Sequence, residues 1–199
     1  IFDSFNHPKI LKYRCKNHKG AEQARHTAIK LSSTNWFFQL DSDDKIPPYA
    51  INEIINKISE NPEAEFIYGP TMHFSKTSSF LMPPSKNPEV LSTSALFSSQ
   101  MPIKISMYFR IGGYANELKY FAADWDFWLS VYEKNIVGAE TKKILYHRRN
   151  HGNNVIARNM SKWPEVINII IGRHPKFFSN NKRKRKALYS VYEKLARHY

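Results

Sequence analysis

The apolar run Trp36-Phe37-Phe38-Gln39-Leu40 is short, aromatic and bounded by turn formers, which predicts a buried strand. It passes directly into Asp41-Ser42-Asp43-Asp44, where three of four residues carry a carboxylate. In open α/β sheets ligands bind just outside the carboxyl ends of strands, so these acids fall where a ligand is expected. Their mutual repulsion calls for a cation, and a hard divalent ion such as Mg2+ or Mn2+ suits oxygen donors. The plainer alternative is a turn that caps a helix opened by Pro47-Pro48.

Around this stretch the pattern alternates between strand and helix. Residues 8–16 read as a strand, and Asn17-His18-Lys19-Gly20 as a turn. From Ala21 a helix carries Ala24, Ala28 and Leu31 on one face and closes at Ser32-Ser33. Strand, helix and strand in that order predict a parallel crossover unit. After Pro47-Pro48, Ile51, Ile54, Ile55 and Ile58 recur at helical spacing, and Asn61-Pro62 ends that helix. Phe66-Ile67-Tyr68-Gly69 predicts another core strand. Residues 70–104 have little periodicity and read as a long excursion, either a loop over a site or an irregular connection. Residues 105–110 read as a strand leading into the tight turn Ile111-Gly112-Gly113-Tyr114. A helix follows from Ala123 to about Lys134, with Asp124 as its N-cap, and residues 143–148 read as a strand.

The end of the chain changes character. Residues 163–171 are strongly apolar, and Lys182-Arg183-Lys184-Arg185-Lys186 is a run of five cations. Behind it Leu188, Val191, Tyr192, Leu195 and Tyr199 fall at helical spacing. A basic amphipathic helix suits an anionic membrane surface or an acidic partner; a solvated face on a packing helix is the alternative.

Composition narrows the classes. A chain of 199 residues suits one domain, and its 42% hydrophobic content is that of a globular protein. The lone Cys15 excludes a disulfide framework and a cysteine zinc site, and fits a reducing compartment. No apolar run approaches a membrane span, so a cytoplasmic protein, peripheral on a membrane's inner face, is expected. The net charge of +13 implies an anionic partner. The chain has no Walker loop, no GxGxxG and no GxSxG, and no internal repeat.

Five stretches together resemble the family-2 glycosyltransferases. Residues 17–26 are similar to the NxGxxxARN segment, and Leu40-Asp41-Ser42-Asp43-Asp44 to the LDxDD form of the DXD motif. Phe109-Arg110-Ile111-Gly112-Gly113-Tyr114 resembles the segment in which a basic residue precedes a GG-aromatic turn. Ala123-Asp124-Trp125-Asp126-Phe127-Trp128-Leu129 resembles the EDWDFWL block, and residues 146–151 the YRxH segment. Their order is the family's, over roughly residues 10–152.

The resemblance implies an α/β GT-A (Rossmann-like) fold, a mixed sheet flanked by helices. Residues 1–152 would form the catalytic domain and residues 153–199 a basic helical extension. It implies a hexosyltransferase-type enzyme that moves a sugar from a nucleotide-sugar, UDP-sugars being the common donors, to a hydroxyl of a glycan or lipid-linked acceptor with inversion. Mn2+ or Mg2+ would be held by Asp43, with Asp41 at the ribose and the ion's shell and His151 as a further metal contact. Arg25 and Gly20 would bind the donor, Asp124 would be the catalytic base, and Gly113, Trp125 and Trp128 would meet the acceptor. The chain departs from the pattern at Ala123, where the family has Glu, and at His26, where it has Asn. The family's opening strand and DGS segment are not visible, so Ile1 is expected to enter the fold after them, which makes the catalytic domain N-terminally incomplete. Two other classes remain open: a basic nucleic-acid-binding module, for which no recognisable motif speaks, and an inactive glycosyltransferase-like domain kept for assembly.

Overall fold

A computed structural model describes residues 7–14, 20–85, 87–118, 121–150 and 158–197. In chain order its elements are α1 (Ala21–Leu31), β1 (Trp36–Phe37), α2 (Ala50–Glu60), β2 (Phe66–Tyr68), β3 (Thr71–Phe74), β4 (Ser79–Met82) and β5 (Ile103–Lys104). There follow α3 (Ile105–Arg110), α4 (Ala123–Glu133), β6 (Gly138–Glu140), β7 (His147–Arg149), α5 (Trp163–Arg173), α6 (Pro175–Phe178) and α7 (Asn181–Ala196).

Two small mixed sheets carry these elements. The first has the order β1-β5-β2-β6, with β2 and β6 parallel and β5 antiparallel to both β1 and β2. The second has the order β4-β3-β7, with β3 and β4 a hairpin and β7 parallel to β3. The expected crossover from a first strand through α1 is not formed: residues 10–14 lie outside any strand, and β1 pairs antiparallel with β5. The stretch read as an irregular excursion contains the β3–β4 hairpin and a 3-10 turn at Pro88–Ser92. The strand read at residues 143–148 shortens to β7.

The run Ile105–Arg110 is a helix, although its β-branched and aromatic residues favour a strand. Its neighbours Met107 and Tyr108 are both fully buried, which a strand facing one core cannot achieve but a short helix can. The following glycines have φ of 96° and 66°, left-handed values that favour glycine. A Cβ on Gly113 would also stand 2.8 Å from the Tyr108 ring, so the predicted GG turn is required by packing as well as by backbone.

Two helices present a different face from the one their sequence suggests. On α1, Ala24, Ala28 and Leu31 are exposed, while Glu22, Arg25, His26 and Ile29 turn inward. On α2, Ile54 is buried and Ile58 half-buried, but Ile51 and Ile55 are exposed. On α7 the expected stripe holds at Val191, which is buried, and at Leu188 and Leu195, which pack on the core beside Ala187; Tyr192 is exposed and Tyr199 lies outside the described residues. Periodicity detects the helix; what it packs against decides the buried stripe.

The main core is built around α4, of which Ala123, Trp125, Asp126, Phe127, Trp128, Leu129 and Val131 are all buried. Left-handed residues stand at both ends: Ala122 (φ 68°) caps its start and Asn135 (φ 51°) follows its end. The same core takes in Trp163, Val166, Ile167 and Ile170 of α5, Phe177 and Phe178 of α6, and Ala187 and Val191 of α7. A smaller cluster lies under α2 around Ile54, Ile67 and Leu145.

Asp126 is a fully buried carboxylate inside this apolar mass. Arg173 donates to it at 2.7 Å through Nε, and His174 Nε2 lies 3.0 Å from the same oxygen. His174 Nδ1 in turn lies 3.0 Å from Glu133 Oε2. Burial alone would raise the Asp126 pKa, but the hydrogen bonds from His174 and Arg173 hold it below the usual carboxylate range. Burial alone would lower that of His174, but its two carboxylate partners hold it above the usual histidine value.

The depressed Asp126 contributes stability above about pH 3.9 that is lost as pH falls through its folded value. The raised His174 contributes stability below about pH 6.5 that is lost as pH rises through its folded value. Thermal melts across pH should therefore show stability declining on the alkaline side of about pH 6.5, and His174→Gln should flatten that decline. Asp126→Asn should cost about 3 kcal/mol at neutral pH in denaturant titrations, because it leaves the two cationic groups without their shared carboxylate.

Candidate active site

The polar inner face of α1, the acidic turn after β1, the first turn of α4 and the end of β7 converge. Gly20, with φ of 86°, opens α1. One turn further on, Arg25 donates to Glu22 Oε1 at 2.8 Å and to Asp41 Oδ1 at 2.7 Å. The second oxygen of Asp41 accepts from Gln100 Nε2 at 2.8 Å, so both are occupied by side chains of this protein. The acidic turn closes through the Asp44 N–H, which donates to the Asp41 carbonyl at 3.1 Å. Strand β7 pins it from the other side: the Arg149 N–H donates to Asp44 Oδ1 at 2.8 Å and Arg149 Nε to the Asp43 carbonyl at 3.0 Å. Asp43 itself is exposed on the turn.

Asp124 sits inside the first turn of α4 rather than capping it, because Ala122 takes the cap position. Its Oδ1 accepts from the Trp125 N–H at 2.9 Å. Burial pushes its pKa above the ordinary aspartate value, against that hydrogen bond and the charges of Arg148 and Arg25. Glu22 is raised too, first by burial and against Arg25, with the charges of Asp124 and Asp41 adding to the effect. Asp44 is raised by burial and by Asp43 and Asp41, against the Arg149 N–H and Arg148. The acidic turn and Asp124 therefore share two cations: Arg25 bonds Asp41 and acts on Asp124, and Arg148 acts on both Asp44 and Asp124.

A cavity of about 630 Å³ adjoins Asp124. Met82, Leu96, Phe121, Trp125 and Trp163 give it apolar walls, and Thr71, His73, Ser98, Arg148 and Lys194 give it polar ones. Trp125 is fixed there by its indole N–H, which donates to the Leu91 carbonyl at 2.7 Å.

The predicted residues thus divide. Arg25, Asp41 and Asp124 are brought together, and Trp125 lines the cavity beside them. Trp128 is only 1% exposed and packs on Phe66, Phe97 and Phe127, so it belongs to the core and does not line the cavity. Gly113 is buried against Tyr108 and does not line it either. His151 lies outside the described residues.

No group of three or more His, Cys, Asp or Glu side chains among the described residues is arranged to hold an ion. The donors on the turn are hard oxygens, and with Asp41 engaged by Arg25 and Gln100 this set suits an ion shared with phosphate oxygens more than one caged by protein.

Glu22, Gln100, Arg148 and Arg149 belong to the site without having been singled out by sequence. Arg148 and Arg149 stand in the YRxH-like segment, where their number and position were the available signal. Gln100 comes from a stretch without periodicity and gave none. Glu22 Oε2 and Gln39 Nε2 are buried and have no hydrogen-bond partner among the described residues, one acceptor and one donor left unused.

A family model described as glycosyl transferase family 2 matches residues 1–116, more than half of the chain. The chain belongs to glycosyl transferase family 2. A relative from Haemophilus influenzae, named an uncharacterized glycosyltransferase, is 26% identical over 142 residues, which is 67% of this chain and 48% of that protein. The chain therefore spans about half the length of this curated relative. Among solved structures, residues 1–349 of Staphylococcus aureus TarS match with a TM-score of 0.58 at 16% identity, covering 80% of this chain and 46% of that one. The same TarS segment in complex with UDP-GlcNAc matches with a TM-score of 0.56 at 15% identity, covering 79% and 47%. The family-2 chain thus has the expected GT-A fold, a mixed α/β arrangement ending in helices.

Replacing Arg25 by Met should raise the Glu22 pKa further, since Arg25 is the group that opposes burial there. Carboxyl carbon NMR titration of the two proteins reads the change; an unmoved Glu22 would show that Arg25 does not govern this cluster.

Proposed function

We propose that this family-2 chain transfers a sugar from a nucleotide-sugar to an acceptor hydroxyl, with Asp124 as general base. The observation that supports the reading is the position of Asp124 in the cavity wall beside Arg148, while Arg25, whose charge also acts on Asp124, is bonded to Asp41 of the DXD turn. In the reaction the acceptor O–H gives its proton to the Asp124 carboxylate. The oxygen forms its bond to the anomeric carbon on the face opposite the nucleotide diphosphate, which leaves with the electron pair of the broken C–O bond, so the configuration inverts. Burial strengthens Asp124 as a base by raising its proton affinity toward the working pH. The Trp125 N–H and the charges of Arg148 and Arg25 oppose that rise by favouring the carboxylate form.

Asp43 is the residue we assign to a Mg2+ or Mn2+ ion carried with the donor; bound there, such an ion supplies Lewis-acid stabilisation of the departing diphosphate. The unused polar atoms of Glu22 and Gln39 favour a polar ligand at this end. TarS, a neighbour by fold, is solved with UDP and with UDP-GlcNAc, which makes UDP-sugars the first donors to test. The cavity beside Asp124, with Trp125 and Trp163 as flat apolar walls, is the acceptor site in this reading, and a glycan or lipid-linked glycan is its expected occupant.

A membrane role for α7 has one supporting observation. Lys182, Lys184, Arg185 and Lys186 are exposed, as are Tyr189 and Tyr192 further along the helix, while no described helix is long and apolar enough to cross a membrane. Flotation with vesicles containing anionic lipid should recover the protein at low salt, and charge reversal at these four positions should abolish recovery.

Asp124→Asn should reduce sugar transfer by about 10²- to 10⁴-fold while leaving nucleotide-sugar binding intact. Asp43→Ala should remove the metal dependence of UDP-sugar binding in calorimetry with and without Mn2+. Undiminished turnover in Asp124→Asn would refute the assignment of the base.

A further inference from the structure

The cavity contains a cation that the transfer mechanism does not use. Lys194 lies in the last turn of α7 and forms part of the cavity wall. On α7 the inward stripe runs through Ala187 and Val191, both buried, and Lys194 continues it with spacings of four and three residues. An apolar residue is the ordinary occupant of that place in a packed helix.

Its surroundings do not neutralise it. The ammonium lies 4.2 Å from the centre of the Trp163 ring and 3.5 Å from the Thr93 carbonyl. No ion pair joins it to a carboxylate among the described residues, whereas Arg25, Arg173 and Arg183 each meet one. Burial lowers its pKa with no charged group acting in the opposite direction. Among the described residues of the cavity wall Asp124 is the one carboxylate, and the charges of Arg148 and Arg25 already act on it. A half-buried ammonium with an aromatic face behind it and a ligand-sized space in front of it is therefore short of an anion.

We propose that Lys194 is a specificity residue that selects an acceptor glycan bearing a fixed negative charge, held by the ammonium while the sugar body lies against Trp163 and Trp125. A sugar carboxylate and a sugar phosphate present the same chemistry to it. The inference rests on the reading of this cavity as the acceptor site.

The test uses tryptophan fluorescence, because Trp125 and Trp163 line the cavity. The purified protein is titrated with methyl β-glucuronide, with methyl β-glucoside 6-phosphate and with neutral methyl β-glucoside. At least one anionic glycoside should bind about tenfold more tightly than the neutral one, the size expected for one charge-assisted hydrogen bond. Whichever of the two does so identifies carboxylate or phosphate as the charge. Lys194→Met should erase the preference and Lys194→Arg should retain it. UDP-GlcNAc with Mn2+ should bind all three proteins alike. A neutral glycoside bound as tightly as both anionic ones overturns the inference from the wild-type protein alone, as does a preference that survives in Lys194→Met. With UDP-GlcNAc still bound, either result defeats only the role of Lys194. Absence of binding by a panel of UDP-, GDP- and dTDP-sugars would instead defeat the transferase reading beneath it.

Discussion

The buried carboxylate of Asp126 sets the terms for the rest of the structure. An ionised group inside an aromatic core is strongly disfavoured unless it is paired and hydrogen-bonded. Arg173 and His174 do this from the end of α5, with Glu133 closing the chain of contacts from the end of α4. The C-terminal helices are thereby tied to the helix that carries the site, and their apolar side chains complete the same core. Asp124 and Asp126 stand two residues apart, roughly 200° around a helix. One looks into the cavity and the other into the protein. The rigid anchoring of the second fixes the direction of the first.

On the opposite side of the cleft the governing groups are cations. Arg25 satisfies Glu22 and Asp41 together, and Arg149 holds the backbone and side chain of the acidic turn. Removing water from several carboxylates raises their proton affinity; nearby guanidinium groups oppose the rise. The balance leaves Asp124 a stronger base than a solvated aspartate. In the transfer we propose, side chains from four separate segments would meet the two electrostatic demands of an alcohol attacking a sugar, a base on one side and charge neutralisation on the other.

Much of this was legible in the sequence where local signals and tertiary contacts agree. The acidic turn after an aromatic run, the GG turn and the aromatic block containing Asp124 were readable because each carries an unusual residue pattern in a short span. The errors arose where packing overrode local preference. Residues 105–110 look like a strand but form α3, since Met107 and Tyr108 must both be buried. The inward side of α1 is polar because it faces the site, so a search for its apolar stripe selects the solvent face. Trp128 looks like a sugar platform and is instead enclosed by Phe66, Phe97 and Phe127. Gln100 carries no sequence signal at all; only the folded chain brings it to Asp41, fifty-nine positions earlier.

The pairing of β2 also bears on biosynthesis. Its neighbours in the sheet are β5 and β6, at Ile103–Lys104 and Gly138–Glu140. A nascent chain must extend as far as Gly138 and Ala139 before Phe66 and Ile67 find both partners. The carboxylate at position 126 waits longer still, for cations at 173 and 174. The sheet therefore closes only through contacts distant in sequence, and products cut short of β6 would expose its sticky centre.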